Sequence, residues 1–176
     1  MSAIILPVGD KVPDIPLDAF LAPNCTVVGD VSIGSHCSIW FNAVVRGDVN
    51  YIKIGHYTNI QDNVTIHGTY ERNGTDIGSY VNIGHNAIIH GCVIHSHVLV
   101  GMGAIVMDRA VLQSHVIIAA GAVVLENTVC ESGYLYAGVP AKKVKPLTDE
   151  QLALLDKLPH NYVLYSSWFK DTDESD

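Results

Sequence analysis

Aliphatic residues recur every six positions along most of this chain, and this repeat restricts the possible folds more than any other feature. The period is clearest between residues 54 and 91, where its members are Ile54, Ile60, Ile66, Ile77, Ile83 and Ile89. Neither an α-helix, with 3.6 residues per turn, nor a strand alternation of two residues gives this spacing. A six-residue period is typical of a hexapeptide β-helix, in which three short strands form one coil and coils stack.

The same phase extends over most of the chain. It includes Leu21, Val27, Ile33, Ile39 and Val45 upstream, and Ile94, Val100, Val106, Leu112, Ile118, Val124, Cys130 and Tyr136 downstream. There are three extra residues between Val45 and Ile54, five between Ile66 and Ile77, and one missing between Ile89 and Ile94. Three hexads make one coil, so residues one coil apart should stack about 4.8 Å apart. We therefore predict an all-β fold, a parallel β-helix of hexapeptide repeats.

A length of 176 residues is typical of one domain. Residues 1–16 should form a lead-in strand and loop, and the β-helix should occupy residues 17–140. A C-terminal α-helix is predicted within residues 141–170, because TDEQ at 148–151 has the spacing of a capping box and the leucines at 152, 155 and 158 share one face. Pro159 should interrupt and restart this helix. The acidic end, residues 171–176, should be disordered.

Glycines and cysteines occupy regular positions in the repeat. The glycines at 34, 55, 78, 84 and 101 each follow an inward aliphatic residue. We expect them at corners where glycine adopts backbone angles that other residues avoid. The four cysteines fall on inward positions and lack the CxxC spacing of zinc sites, so they should be buried thiols of the core.

Composition excludes several classes of function. Hydrophobic residues make up 48% of the chain and charged residues 16%, which indicates an ordered globular protein. The net charge of −8 argues against a nucleic-acid-binding protein, which needs a basic surface. No apolar run is long enough to span a membrane, and the first residues lack the pattern of a signal peptide. The expected compartment is the cytoplasm.

Three histidines form a pattern that favours a metal site. His67 and His90 are 23 residues apart, which becomes one coil of 18 when the five-residue insertion is subtracted, so they should stack on one edge with their side chains outward. His85 should project from a different corner, so a neighbouring subunit would supply the third ligand more naturally. This predicts metal sites between subunits, most simply in a homotrimer. Three neutral imidazoles with an open fourth position are typical of catalytic zinc; the alternative is a set of stacked surface histidines.

A basic and an acidic residue should accompany this histidine pair. Arg46 precedes His67 by 21 residues. Without the three extra residues between Val45 and Ile54 this separation is 18, so Arg46 should lie one coil, or rung, beneath His67. Asp48 follows two residues later and should reach an arginine of its own or an adjoining chain.

Further polar residues should surround His85. Asp62 precedes it by 23 residues and should therefore lie one coil beneath it, with Gln61 and Asn59 on the same exposed strand. A carboxylate or amide near a metal can orient a bound water or a ligating histidine.

Four segments resemble the gamma-class carbonic anhydrase family: VVRGDVN at 44–50, TNIQDNVTIHG at 58–68, IGHNAIIHGC at 83–92 and YAGVPAKKVKPLT at 136–148. The resemblance extends over almost the whole chain. It implies a left-handed β-helix that forms a homotrimer, a metal ion between subunits, and the hydration of carbon dioxide to bicarbonate.

The resemblance also implies roles for individual residues. By motif, the metal ligands are His67, His85 and His90, Gln61 holds the metal-bound water, Arg46 and Asp48 form an interface pair, Asn59 and Asp62 belong to the surrounding polar groups, and Tyr136 is an active-site tyrosine. Zinc is the expected metal, and iron or cobalt can occupy this site in the family.

Two features depart from the archaeal type of the family. Val49 replaces an acidic residue, and the insertion Thr69–Thr75 is much shorter than the acidic loop that carries a proton shuttle there. Glu71 is the only carboxylate in the short loop. Proton transfer to solvent should therefore be slow, unless His56, His97 or Glu71 replaces the shuttle.

The sequence thus predicts metal-dependent, reversible hydration of carbon dioxide by a metal-bound hydroxide at a subunit interface. Two alternatives remain open. One is a hexapeptide acyltransferase or a hydrolase of coenzyme A thioesters, for which a lone histidine would be more typical. The other is a non-catalytic trimeric scaffold that retains a metal site.

Overall fold

Inward aliphatic side chains fill the centre of a three-faced parallel β-helix of about seven turns, followed by one helix; the computed structural model describes residues 2–169. The predicted left-handed hexapeptide β-helix with a C-terminal α-helix is confirmed. Ile39, Ile60, Ile66, Ile83 and Ile89 have no exposed surface. Each such side chain contributes about 1.5–3 kcal/mol through removal of apolar surface from water.

The strands are short and pair rung on rung. In chain order they are β1 (Ile4–Leu6), β2 (Phe20–Leu21), β3 (Thr26–Ile33), β4 (Ser38–Ile39), β5 (Val44–Ile54), β6 (Asn59–Ile60), β7 (Thr65–His67), β8 (Thr75–Ile77), β9 (Asn82–Ile83), β10 (Ile88–His90), β11 (Val93–Ile94), β12 (Leu99–Val100), β13 (Ile105–Val106), β14 (Val111–Leu112), β15 (Ile117–Ile118), β16 (Val123–Val124), β17 (Val129–Cys130), β18 (Tyr134–Ala137) and β19 (Lys142–Pro146). The helix α1 follows at Asp149–Ser167.

Three columns of strands form the three faces. Face 1 contains the start of β5 and strands β7, β10, β13 and β16, and face 2 contains the end of β5 and strands β8, β11, β14 and β17. Face 3 contains β2, β4, β6, β9, β12, β15 and β18, with β19 antiparallel at its end. The long strands β3 and β5 continue around the corner between faces 1 and 2, which joins these two faces into one sheet.

The predicted slips in the repeat appear as local insertions that leave the register intact elsewhere. Gly29 pairs with Gly47 but Val31 pairs with Ile52, which places the three extra residues between Gly47 and Ile52. The five-residue insertion forms the loop between β7 and β8, and β10 then pairs with β7 in full register. The rungs therefore stack as the count of eighteen residues predicts.

The prediction for the corner glycines was wrong in its physical reason. Gly84 and Gly101 do not have positive φ angles; instead a Cβ at Gly101 would lie 2.5 Å from the backbone nitrogen of Ala120 on the next rung. The left-handed corner positions are held by other residues, for example Asn63 and Asn86 with φ of 59° and 61°, and Gly103 with φ of 67°. Gly84 and Gly101 are required because successive rungs approach each other closely there.

Helix α1 runs along face 3, where it contacts β4 and β9. Thr148 caps it through the predicted capping box with Gln151. The prediction that Pro159 restarts the helix was wrong, since one helix continues through it. Pro159 and Leu155 are both buried, and this packing offsets the hydrogen bond that proline cannot donate.

Aromatic rings stack along the corner between faces 2 and 3. The stack contains His36, Tyr57, Tyr80, His97 and His115, with centroids 4.7–5.1 Å apart. His97 Nδ1 also lies 2.8 Å from Asp156 Oδ1 on α1. These histidines therefore have structural contacts at a corner away from the predicted metal ligands.

The four cysteines are free and buried, as predicted. Burial raises the pKa of Cys25 to about 11 and that of Cys92 to about 12, so these thiols stay protonated near neutral pH. Within residues 2–169, no helix is both long and apolar enough to cross a membrane. The predicted disordered tail at 171–176 lies outside the described residues, and the proposed domain boundaries and compartment stay predictions.

The close approach at Gly101 gives a test of the fold. Gly101→Ala should lower the free energy of unfolding by about 2 kcal/mol or more, because the added methyl group meets backbone that cannot rotate away. Denaturant unfolding measures the change. The matched control is Gly103→Asn, where φ is +67° with open space around the Cβ position, and where asparagine should change stability by less than about 0.5 kcal/mol. Equal losses in the two variants would contradict the close-packing explanation.

Candidate metal centre

Two of the three predicted ligands lie together at the corner between faces 1 and 2. His67 and His90 end strands β7 and β10 and are paired residues in adjacent rungs. Their rings are 5.3 Å apart between centroids, and His67 Nδ1 lies 3.3 Å from His90 Nε2. The inward packing of Ile66 and Ile89 directs both imidazoles outward.

A carboxylate holds the outer nitrogen of each ring. His67 Nε2 lies 3.0 Å from Asp48 Oδ1, and His90 Nδ1 lies 3.1 Å from Asp108 Oδ1. A neutral imidazole that donates its proton to a carboxylate presents a lone pair at its other nitrogen. The two remaining nitrogens are the ones that face each other across 3.3 Å.

This arrangement fits a cation. Two facing lone pairs repel unless a proton or a metal ion lies between them, and carboxylates on the outer nitrogens are the usual partners of metal-ligating histidines. Imidazole nitrogens suit zinc, iron and cobalt. Within one chain, the described residues 2–169 contain no cluster of three or more His, Cys, Asp or Glu side chains that could hold a metal. A metal ion bound by this pair would therefore need a further ligand from outside the pair.

Asp108 was missed by the sequence reasoning. It follows His90 by eighteen residues, so the same count that paired His67 with His90 would have placed it one rung above His90. Thr69 Oγ1 also donates to the Asp108 carboxylate at 2.9 and 3.0 Å. Gly91 leaves room for this carboxylate, because a Cβ there would lie 1.9 Å from Asp108 Oδ1.

Arg46, Asp48 and His67 form a chain of contacts beneath the pair. Arg46 donates to one Asp48 oxygen and His67 contacts the other. Burial pulls the pKa of Asp48 upward, but the hydrogen bonds from Arg46 and His67, together with the charge of Arg46, hold it below its ordinary value. Asp48 therefore stays ionised at neutral pH. The predicted pairing of Arg46 with Asp48 is present within the chain itself.

His85 lies at a different corner, between faces 3 and 1, as the sequence count predicts. Its Nδ1 lies 2.7 Å from Asp62 Oδ2, one coil beneath. The His85 side chain is 40% exposed. All three predicted ligands thus have one nitrogen on an aspartate, but one chain does not bring His85 to the other two.

The prediction that Asn59 and Gln61 lie on an exposed strand was wrong: they are 1% and 6% exposed, on the face along which α1 runs. Gln61 is oriented by a row of these buried amides. Gln61 Nε2 donates to Asn59 Oδ1 at 2.9 Å, and Asn59 Nδ2 donates to Asn82 Oδ1. This network directs the amide nitrogen of Gln61 toward Asn59 and leaves its carbonyl oxygen as the acceptor. Asn82 was not predicted, although it lies one coil above Asn59 by the same count.

Tyr136 does not lie near the His67–His90 pair or near His85. It pairs with Ile118 in the face 3 column, is 5% exposed, and lies within the core. Its hydroxyl oxygen accepts a hydrogen bond from the backbone nitrogen of Glu131 at 2.8 Å. The predicted active-site role of Tyr136 stays a prediction without support from its position in one chain.

The suggested substitutes for a proton shuttle differ in position. His97 contacts Asp156 at the aromatic corner, and His56 Nδ1 accepts from the backbone nitrogen of Ser35 there. Glu71 lies exposed in the 69–75 loop, whose Thr69 contacts the Asp108 carboxylate beside His90. Glu71 is the candidate nearest in the fold to the histidine pair.

Comparison with known proteins agrees with this fold. A family model described as bacterial transferase hexapeptide (six repeats) matches residues 18–47 and 91–126. A carbonic anhydrase from Geobacillus kaustophilus is 41% identical over 167 residues, which cover 95% of this chain and 91% of that protein. The crystal structure of a hexapeptide transferase family protein from Anaplasma phagocytophilum is 40% identical with a TM-score of 0.91, and covers 94% of this chain and 98% of that one.

A longer relative shares the same region. Gamma carbonic anhydrase 1, a mitochondrial protein of Arabidopsis thaliana, is 42% identical over 163 residues, which cover 90% of this chain. The match extends over 59% of the length of that relative.

The role of Asp108 can be measured through metal affinity. Asp108→Asn should weaken zinc binding by about 10–100-fold, because the His90 ring loses its anionic partner. Competition with a chromophoric chelator gives the dissociation constant. Glu126→Gln is the matched control, since Glu126 lies one coil further on and contacts Arg109 instead of a histidine. An equal effect of both substitutions would show that general charge, and not the contact with His90, sets the affinity.

Proposed function

Because this chain belongs to the gamma-class carbonic anhydrase family, we propose that it catalyses the reversible hydration of carbon dioxide at a metal ion held between subunits of a homotrimer. The observation that carries this proposal is the histidine pair, in which two nitrogens face each other while aspartates hold the outer nitrogens. A hydrogen-bonded surface pair would not need both rings fixed in this way.

The separation of the ligands over two corners supports a shared site. His67 and His90 lie at the corner between faces 1 and 2, and His85 lies at the corner between faces 3 and 1. In a ring with threefold symmetry, the first corner of each subunit can meet the second corner of the next. The partner subunit's His85 would then complete the set of three imidazoles.

Face 1 has the surface that such a ring would bury. Its outward side chains are mostly apolar: Val44, Ile88, Ile105 and Val123, with Thr65 among them. Ile88 is 41% exposed in one chain. An apolar strip between the two ligand corners is expected at a subunit interface.

Zinc is the metal that three neutral imidazoles favour, with iron or cobalt as alternatives. A bound zinc ion supplies Lewis acidity that makes a water molecule acidic near neutral pH. The side chains hold this site in place: Asp48, Asp62 and Asp108 fix the three rings through their outer nitrogens. Arg46 balances the charge of Asp48.

Gln61 is proposed to orient the attacking water. Its nitrogen is engaged by Asn59, so its carbonyl oxygen is available to accept an O–H bond and to direct the oxygen lone pair at carbon dioxide. The proton must then reach solvent, and buffer or the exposed Glu71 is the proposed acceptor. Tyr136 has no part in the proposed chemistry, because it packs in the central core and its hydroxyl group contacts the backbone of Glu131.

A coenzyme A-dependent acyl transfer or thioester hydrolysis is the second candidate, because a solved structure 40% identical to this chain is described as a hexapeptide transferase family protein. In that reaction a single histidine would act as general base. Each of the three histidines contacts one carboxylate, and this arrangement favours a metal site instead.

Metal content and carbon dioxide hydration should be measured together on untagged protein. We expect about one zinc ion per chain, and His90→Ala should lower both the metal content and kcat/KM by about 100-fold or more. His115→Ala is the matched control, since His115 stacks in the aromatic corner and should leave both quantities unchanged.

Three other outcomes would favour the second reaction or contradict the proposed metal site. Full metal content without hydration would favour the transfer or hydrolysis reaction, which an acyl-coenzyme A assay would detect. Protein without metal under zinc, iron and cobalt supply would contradict the proposed site. A monomer by light scattering would contradict the shared ligand set.

A further inference from the structure

A cavity of about 330 Å³ opens on face 2 beside the 69–75 loop, and none of the three proposed ligands lines it. Two of the three arginines in the chain line it, Arg72 and Arg109, although the protein carries a net charge of −8. We propose that this cavity binds a small carboxylate-type anion that also carries a hydroxyl group. This inference is independent of the proposed hydratase reaction.

The cavity contains unused hydrogen-bond donors. Asn73 Nδ2 is buried and has no hydrogen-bond partner. Among the described residues 2–169, the Arg72 guanidinium has no ion-pair or hydrogen-bond partner either. An unpaired buried donor such as Asn73 Nδ2 is rare because leaving it unpaired is costly, whereas the Arg72 side chain is exposed to solvent. An anion in the cavity would pair with the Arg72 guanidinium directly, and a turn of the Asn73 amide toward the cavity would give Nδ2 an acceptor as well.

The loop backbone and the Arg109 side chain are held in place before any ligand binds. The backbone nitrogen of Thr69 donates to Asn73 O at 2.9 Å, and the Asn73 nitrogen donates back at 3.2 Å, which closes the loop. Thr69 is itself bound to Asp108. Opposite the loop, Arg109 is held by Asn127 at 2.7 Å and Glu126 at 2.8 Å. Binding would therefore require ordering of the exposed Arg72 side chain but little change in the loop backbone or in Arg109.

An acidic residue at the cavity restricts the ligand further. Asp76 Oδ2 accepts a hydrogen bond from the Tyr51 hydroxyl at 2.8 Å, and the Tyr51 ring lies over Gly74, where a Cβ would come within 2.6 Å of it. The Asp76 carboxylate repels a second negative charge but can accept a hydrogen bond. A monoanion with a hydroxyl, such as bicarbonate or glycolate, meets both conditions, and a dianion does not.

Isothermal titration of the whole protein with glycolate tests this site. Saturable binding is expected, with affinity lowered about tenfold in Arg72→Gln, because a charged hydrogen bond is lost. Lys53→Gln is the matched control: it removes a positive charge on the same face, next to Tyr51 but outside the cavity, and should change affinity less than about twofold. Acetate and inorganic phosphate at alkaline pH should bind several-fold more weakly, and bicarbonate should compete with glycolate.

The His90→Ala variant distinguishes binding in the cavity from binding at the histidine pair. If glycolate binds in the cavity, this variant should retain its affinity for glycolate. The proposal is overturned by the absence of saturation below roughly 50 mM, by equal losses in Arg72→Gln and Lys53→Gln, or by loss of binding in His90→Ala. Equal affinities for acetate and glycolate would overturn the requirement for a hydroxyl group at Asp76.

Discussion

The rung-on-rung register of the parallel β-helix is the constraint on which the rest of the structure depends. Buried aliphatic side chains at every sixth position fix which residues point inward, and the hydrogen bonds between rungs fix which residues lie above one another. A shift of a single residue would move Ile66 and Ile89 outward and His67 and His90 into the core. The histidine pair is therefore a direct consequence of core packing.

The same register aligns the groups that support the histidines. Asp108 lies one rung above His90, and Asp62 lies one rung beneath His85, so each imidazole finds its carboxylate along the axis of the helix. The insertions in the repeat occur at the corner that carries the histidine pair. The extra residues after Gly47 provide Asp48, and the 69–75 loop provides Thr69 and the donors of the face 2 cavity. The regular coils provide rigidity, and the irregular ones provide functional groups.

Several features could be read from the sequence because they depend on position in the repeat alone. The fold class, the inward cysteines, the stacking of His67 on His90 and the separate corner of His85 all follow from counting residues. Asp108 and Asn82 obey the same count, so a complete search of the columns for polar residues would have found them. Resemblance to a family assigned Tyr136 to the site, whereas its position in the repeat correctly indicates the core.

The sequence by itself determined the β-helix, its register and the edge on which each histidine lies, because a periodic core leaves one consistent alignment. Only the tertiary structure decided features that depend on distances between rungs and between distant elements. Gly101 is needed for a close approach and not for its backbone angles, and α1 continues through Pro159 because its packing on face 3 outweighs one lost hydrogen bond. The direction of each ring nitrogen likewise follows from contacts, such as that of His90 with Asp108, that no local pattern contains.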